Sequence, residues 1–138
     1  MPMLQKGVAA VANRMPKVIS PKAHAIADYA TIAMWGMMTG MFWNRSKRAG
    51  ISAMICGAAE LATSLITDYP GGVADVISLA THLKIDMGLA ATASALPNFM
   101  GFDDEAEAKW FRIQALNITG VTAMTQPFSV PERRRKAA

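Results

Sequence analysis

Four long apolar stretches separated by polar connections dominate the pattern of the chain. They cover residues 23–43, 49–67, 76–102 and 109–127, and each contains few charged residues. The stretches that follow Asp28 and Asp86 are uncharged all round and lack the polar face of a solvated helix. At 1.5 Å per residue, about 20 residues cross the roughly 30 Å of a bilayer core. The pattern predicts an all-α fold with four transmembrane helices, and a soluble helical bundle is the structural alternative.

The connections and the two ends divide the chain into three parts. The connection at 68–72, Asp-Tyr-Pro-Gly-Gly, is a strong turn signal, so the four stretches pair into two hairpins. Residues 1–17 have apolar positions at helical spacing, which predicts an amphipathic or disordered N-terminal segment. Residues 18–127 are expected to form the four-helix membrane domain. Residues 128–138 form a basic C-terminal tail.

The two hairpins repeat each other at a constant offset of 58 residues. The shared pattern is V-I-S-x3-H-x3-D, which begins at Val18 in repeat 1 (18–70) and at Val76 in repeat 2 (76–127). Both histidines of the chain fall at matched places, each followed four residues later by an aspartate. An even number of crossings per repeat makes the two halves parallel, related by a pseudo-two-fold axis along the membrane normal. The histidines are therefore expected at similar depth.

Ionisable residues inside the four stretches form the candidate functional site. A histidine and an aspartate one helical turn apart share a face, and depth estimates from the helical rise bring polar residues of the other stretches level with them. Such groups inside a helical bundle tend to face one another and to pair. The predicted polar layer consists of His24, Asp28, Glu60, His82, Asp86 and Asn117.

Several chemistries remain open for this layer. It can be a mutual hydrogen-bonding network, a proton or cation pathway, or a bis-histidine haem site. It can also be a metal site, since imidazole and carboxylate suit Fe, Mn or Zn. The metal-ligand candidates are His24, His82, Asp28, Asp86 and Glu60. No cofactor is predicted outright.

Composition and charge narrow the classes of function. Apolar residues make up 52% and charged residues 17%, although the mean hydropathy of +0.22 is low for four spans. The net charge of +4 comes from short basic clusters rather than one stripe, so nucleic acid is not an expected partner. The single cysteine, Cys56, excludes an intrachain disulfide. The excess of Lys and Arg near the termini predicts an integral membrane protein with both termini cytoplasmic.

The second repeat resembles a known family at the end of its first helix. Leu96-Pro97-Asn98 is followed by Phe99 and Gly101-Phe102, and the matching place in repeat 1 reads Thr39-Gly40-Met41-Phe42-Trp43. The chain resembles the small bacterial membrane proteins built from SPW repeats, in which each repeat is a pair of transmembrane helices. The resemblance covers residues 21–127. It implies a location in the bacterial inner membrane and supplies no chemistry.

These observations favour a structural, accessory or binding module over an enzyme, and they identify no catalytic residues. The expected partners are the lipid bilayer and a second copy of the chain or a larger membrane complex. The first alternative is a minimal proton or ion conductor that uses the polar layer. The second is a membrane redox protein that holds a metal or haem there. Motifs for nucleotide binding and for common hydrolases are absent from the sequence.

Overall fold

The computed structural model describes residues 14–127, together with Lys6 and Ala10. Most of the predicted N-terminal segment and the whole basic tail therefore lie outside the described residues. The elements follow in the order α1, α2, β1, β2, α3 and α4. Their bounds are α1 Pro21–Phe42, α2 Lys47–Leu65, β1 Thr67–Asp68, β2 Ile77–Ser78, α3 Leu79–Met100 and α4 Ala108–Ala123. The four helices correspond to the four apolar stretches.

The first helix of each repeat begins at an equivalent serine. Ser20 is the N-cap of α1 and accepts a hydrogen bond from the backbone N–H of Ala23. Ser78 is the N-cap of α3 and accepts one from Thr81 in the same way. A serine in extended conformation satisfies an N–H that the first helical turn leaves without a partner. The V-I-S part of the repeat therefore places both histidines in the second turn of their helices.

Two short parallel pairings link the repeats. Thr67 of β1 pairs with Ile77 of β2, and Thr125 pairs with Ile19 in an isolated bridge. Adding the offset of 58 to Ile19 and Thr67 gives Ile77 and Thr125, so the two pairings are equivalent. Each pairing joins the entry of one repeat to the exit of the other. The sequence predicted no strands, because two-residue pairings leave no alternation to detect.

Helix packing forms a core at the end of the bundle away from these pairings. Helix α1 packs mainly on α2 and α3 mainly on α4, with further contacts between α2 and α3. Four aromatic side chains are almost completely buried there, namely Trp35, Phe42, Phe102 and Phe111. A side chain at Gly57 would approach Cβ of Trp35 to 2.9 Å, so glycine allows α1 and α2 to lie close together. The core thereby holds the two hairpins side by side.

The membrane part of the prediction is wrong. Within the described part of the chain, no helix combines the length and the hydropathy that a membrane crossing requires. Helix α4 has 16 residues, which rise about 24 Å against roughly 30 Å of hydrocarbon. The other helices are rich in Ala, Gly, Ser and Thr and carry charged residues, which lowers their hydropathy. The transmembrane helices, the axis along a membrane normal and the location in the bacterial inner membrane are corrected accordingly.

Candidate functional site

Four side chains from α1 and α3 meet in the interior of the bundle. His24 and Asp28 project from α1, and His82 and Asp86 project from α3. Both imidazoles are completely buried, and the two aspartates are 4% and 3% exposed. One potential ligand atom from each of the four lies within 4.8 Å of the others. We call this set the His–Asp centre.

The contacts within the His–Asp centre run both within and between the repeats. Nε2 of His24 lies 3.1 Å from Oδ1 of Asp28 and 3.1 Å from Oδ2 of Asp86. Nε2 of His82 lies 3.1 Å from Oδ2 of Asp28 and 3.1 Å from Oδ2 of Asp86. Each imidazole therefore faces both carboxylates through the same ring nitrogen. The i, i+4 spacing accounts for the contacts within a helix, and the packing of the repeats adds those between them.

The other ring nitrogen of each histidine contacts a threonine of the opposite repeat. Nδ1 of His24 lies 2.7 Å from Oγ1 of Thr125, and Nδ1 of His82 lies 2.7 Å from Oγ1 of Thr67. Both hydroxyls donate their only proton to a backbone carbonyl, that of Val121 and that of Thr63 respectively. Each hydroxyl oxygen must then accept a hydrogen bond, so Nδ1 is protonated in both histidines. Only Nε2 of each histidine is therefore free to lose its proton or to bind another group.

Nε2 of His82 is buried without a hydrogen-bond partner among the described residues. It lies within range of two carboxylate oxygens, but neither contact has hydrogen-bond geometry. A buried polar atom normally has a partner, and one without it calls for an explanation. The counterpart atom on His24 has a hydrogen bond to Asp86. The two histidines therefore differ in how Nε2 meets the carboxylates.

The charges of the His–Asp centre compensate one another. Burial lowers the pKa of His24, but hydrogen bonds and charge from Asp28 and Asp86 outweigh burial and raise it to about 8. Burial also lowers the pKa of His82, but its close contacts with Asp28 and Asp86 outweigh burial and raise it to about 9. Burial raises the pKa of Asp28, but its contacts with the two histidines, and then with Tyr69, lower it to about 2. The charged forms therefore stabilise one another in this interior.

The surroundings of the two aspartates differ. The Tyr69 hydroxyl donates to Oδ2 of Asp28 at 2.7 Å. Burial, together with the neighbouring Asp28, raises the pKa of Tyr69, so its proton stays in place. Oδ2 of Asp86 instead accepts a longer hydrogen bond of 3.4 Å from Thr122. Position 127, which matches Tyr69 at the offset of 58, is a proline.

Glu60 and Asn117 lie beside the His–Asp centre. They line a cavity of about 10 Å³ together with His24, Asp28 and Asp86, so five of the six residues of the predicted polar layer face one space. The sixth, His82, is joined to this group through its contacts with the two aspartates.

Glu60 is buried and has an altered acidity. Its Oε2 accepts a hydrogen bond of 2.9 Å from Nε1 of Trp35. Burial, and then the charge of Asp28, raise the pKa of Glu60 to about 8, although the Trp35 hydrogen bond acts against this shift. Asn117 donates to Oγ1 of Thr31 and to Oε1 of Gln114. The raised pKa favours the neutral form of this carboxyl group beside a charged centre.

Sequence reasoning missed the residues that orient this site. Thr67 and Thr125 occupy equivalent positions of the repeat, and this identity could have drawn attention to them. The sequence pattern gives them no role. Tyr69 was read only as part of a turn, and Trp35 carried no signal at all. Their contacts depend on how the two hairpins pack, which no spacing within one helix determines.

The four histidine–carboxylate separations of the His–Asp centre suit a metal ion, and the centre does not fit haem. Metal–ligand bonds of about 2.0–2.2 Å place neighbouring ligand atoms roughly 2.9–3.5 Å apart, which includes the observed separations of 3.1 Å. A porphyrin would need to lie between the two imidazoles. Both Nε2 atoms already contact the carboxylates there, and the ring centroids are only 5.2 Å apart. The haem interpretation is therefore abandoned.

Comparison with known proteins gives no relative. No protein-family model, no curated protein and no solved structure matches the chain. The resemblance to SPW-repeat proteins stays a prediction, and any function must be argued from the site itself.

Proposed function

We propose that the chain is a metal-binding protein whose His–Asp centre holds one divalent transition-metal ion. The ligands are Nε2 of His24 and His82 and the carboxylates of Asp28 and Asp86. Two imidazoles and two carboxylates suit Zn²⁺, Mn²⁺ or Fe²⁺. The proposal keeps the binding-module interpretation of the sequence and gives it a ligand.

The observation that carries the proposal is the orientation of the two histidines. Threonine hydroxyls hold Nδ1–H of both rings, which aims both Nε2 atoms at the same pair of carboxylates. Metal-binding histidines are held by a hydrogen bond from their other ring nitrogen in the same way. Carboxylates cannot donate to an Nε2 lone pair once they are ionised. Each Nε2 therefore requires either its own proton or a shared cation.

The metal-free state gives the second candidate function, a structural cross-link between the repeats. The raised pKa values of His24 and His82 favour two imidazolium groups facing two carboxylates, which is neutral overall. Such a buried network fixes one arrangement of the helices, although its net stabilisation is small against desolvation. A divalent ion that displaces both imidazolium protons leaves the total charge unchanged. The two states therefore compete for the same four side chains.

A proton or ion conductor needs helices that cross the membrane, and we do not propose that function.

Metal analysis of the purified chain tests the proposal. We expect one Zn²⁺, Mn²⁺ or Fe²⁺ per chain by elemental analysis, or uptake of one Co²⁺ with the visible absorption of a protein-bound ion. Asp86→Asn removes one ligand charge with almost no change in shape and should abolish stoichiometric binding.

The matched control is Glu107→Gln. Glu107 is also a buried carboxylate, but it pairs with Arg45 at 3.3 Å, outside the His–Asp centre. This variant should bind metal as the wild type does. A wild-type chain that takes up no ion from any of the four metals, while remaining folded, would leave the structural cross-link as the function.

A further inference from the structure

One side of the His–Asp centre is lined by the cavity described above. Three of the four proposed ligands face it, namely His24, Asp28 and Asp86. A volume of about 10 Å³ is near the minimum that holds one water molecule, of the order of 10–15 Å³. Polar groups on several walls give such a molecule the two to four partners that a buried water needs. The cavity is therefore suited to a single small polar occupant.

Glu60 also lines the cavity. It is 3% exposed, and the Trp35 indole holds its Oε2, which fixes the carboxyl group in place. Asn117 adds an amide group to the lining, and its Nδ2 already donates to Thr31 and Gln114. Neither side chain is among the four ligands.

The repeat makes the two sides of this cavity unequal. The position that matches Glu60 at the offset of 58 is Ile118, and both line the cavity. Pseudo-symmetry thus brings two equivalent positions to one space, one with a carboxyl group and one with an apolar side chain. Ile118 is 5% exposed and limits the size of the occupant.

We propose that the metal ion carries an exchangeable ligand in this cavity, a water molecule that Glu60 holds by a hydrogen bond and that small inorganic anions replace. The proposal rests on metal binding at the His–Asp centre. Four protein ligands leave a coordination position available in ions that accept five or six, such as Mn²⁺ and Fe²⁺, and in Zn²⁺ when it expands to five. The cavity lies where ligand exchange can occur without displacing a side chain. Glu60 is then a positioning residue.

Two measurements on the metal-loaded chain test this inference. Pulsed electron paramagnetic resonance of the Mn²⁺-loaded chain in ¹⁷O-enriched water should detect one metal-bound water. Titration of the Co²⁺-loaded chain with fluoride, which is no larger than a water molecule, should change its visible spectrum with a single affinity. Both experiments measure the coordination position that the protein leaves available, whereas elemental analysis measures only whether the metal is bound.

Variants of Glu60 and Ile118 separate positioning from ligation. Glu60→Gln should keep one metal per chain and bind fluoride about tenfold more tightly, because an amide holds the competing water less well than the carboxyl group does. Ile118→Val enlarges the cavity and should favour azide over the smaller fluoride. Glu107→Gln should leave both affinities unchanged.

The outcomes are distinguishable from failure of the proposed function. A chain that binds no metal overturns both proposals. A chain that binds one metal without a bound water overturns only this inference. Loss of metal from Glu60→Gln would make Glu60 a direct ligand and would likewise overturn it.

Discussion

The two repeats contribute the same three side chains to the centre but surround their aspartates differently. Each provides one histidine, one aspartate and the threonine that holds the histidine of the other repeat. Asp28 additionally accepts a short hydrogen bond from Tyr69, whereas the contact of Asp86 with Thr122 is longer. Glu60 faces the cavity from repeat 1, and Ile118 faces it from repeat 2.

This difference distinguishes the residues that form the ligand set from the residues that surround it. The ligand set obeys the symmetry of the repeat, because two imidazoles and two carboxylates compensate one another only as a complete set. The surrounding residues break the symmetry, and they determine which side of the centre is polar. Equivalent variants in the two repeats should therefore behave alike at the ligands and differently around them.

The largest effect is expected at the histidines. His24→Ala and His82→Ala should both abolish metal binding, and each should lower the free energy of unfolding of the metal-free chain by about 3–5 kcal/mol, because two buried carboxylates lose a partner. Elemental analysis and denaturant unfolding measure the two quantities. Strongly unequal losses between the two variants would contradict a symmetric ligand set.

The second largest effect is expected from pH. The pKa values of about 8 and about 9 mean that two imidazolium protons must leave when a metal binds below pH 8. Apparent affinity should then rise about 100-fold per pH unit and level off once both histidines are neutral. Calorimetry in buffers of different ionisation enthalpy counts the protons. Release of no protons would exclude exchange between the two states.

The metal-free chain should respond to pH in the opposite sense. Because both histidine pKa values lie above 6.5, their contribution to the free energy of unfolding is complete below pH 6.5 and is lost as pH rises through about 8 and 9. The raised pKa of Glu60 also lowers stability, between its ordinary value of 4.5 and about 8. Glu60→Gln should flatten the stability curve in that lower range only. An unchanged curve would contradict the burial of a neutral carboxyl group.

A smaller effect is expected at the threonines. Thr67→Val and Thr125→Val remove the acceptors that orient the imidazoles, and each should weaken metal binding by about 10–100-fold. Thr63→Val and Thr119→Val are matched controls, since these hydroxyls also donate to a carbonyl four residues earlier but do not contact a histidine. Equal affinities for all four variants would mean that the threonines do not orient the ligands.

The smallest effect is expected at Tyr69, where the repeats differ. Tyr69→Phe removes one donor to Asp28 and should cost about 1–3 kcal/mol of stability in the metal-free chain. It should change metal affinity less than the threonine variants do, because Asp28 keeps its charge. Tyr29→Phe is the control, since that hydroxyl donates to the carbonyl of Gly71 instead. A larger loss of metal affinity in Tyr69→Phe than in Thr67→Val would contradict this order and would mean that Tyr69 orients a metal ligand.

For the described residues, the sequence predicted the four helices and pointed to the repeat, because both are local patterns. Apolar stretches identify α1 to α4, and the spacing of His24 and Asp28 indicates a shared helical face. The environment was misjudged, because runs of Ala, Gly, Ser and Thr are uncharged without being apolar enough to cross a bilayer. The roles of Thr67, Thr125 and Tyr69 arise from contacts between distant segments, which periodicity does not report.

The two parallel pairings make each half of the site depend on the other repeat. Thr67 and Thr125 anchor the backbone to Ile77 and Ile19, and the same two residues orient the imidazoles of the opposite repeat. One hairpin by itself has a histidine whose orienting hydroxyl belongs to the other. A chain cleaved in the connection around Gly72 would consequently regain its ligand geometry only by complementation, with one fragment supplying what the other lacks.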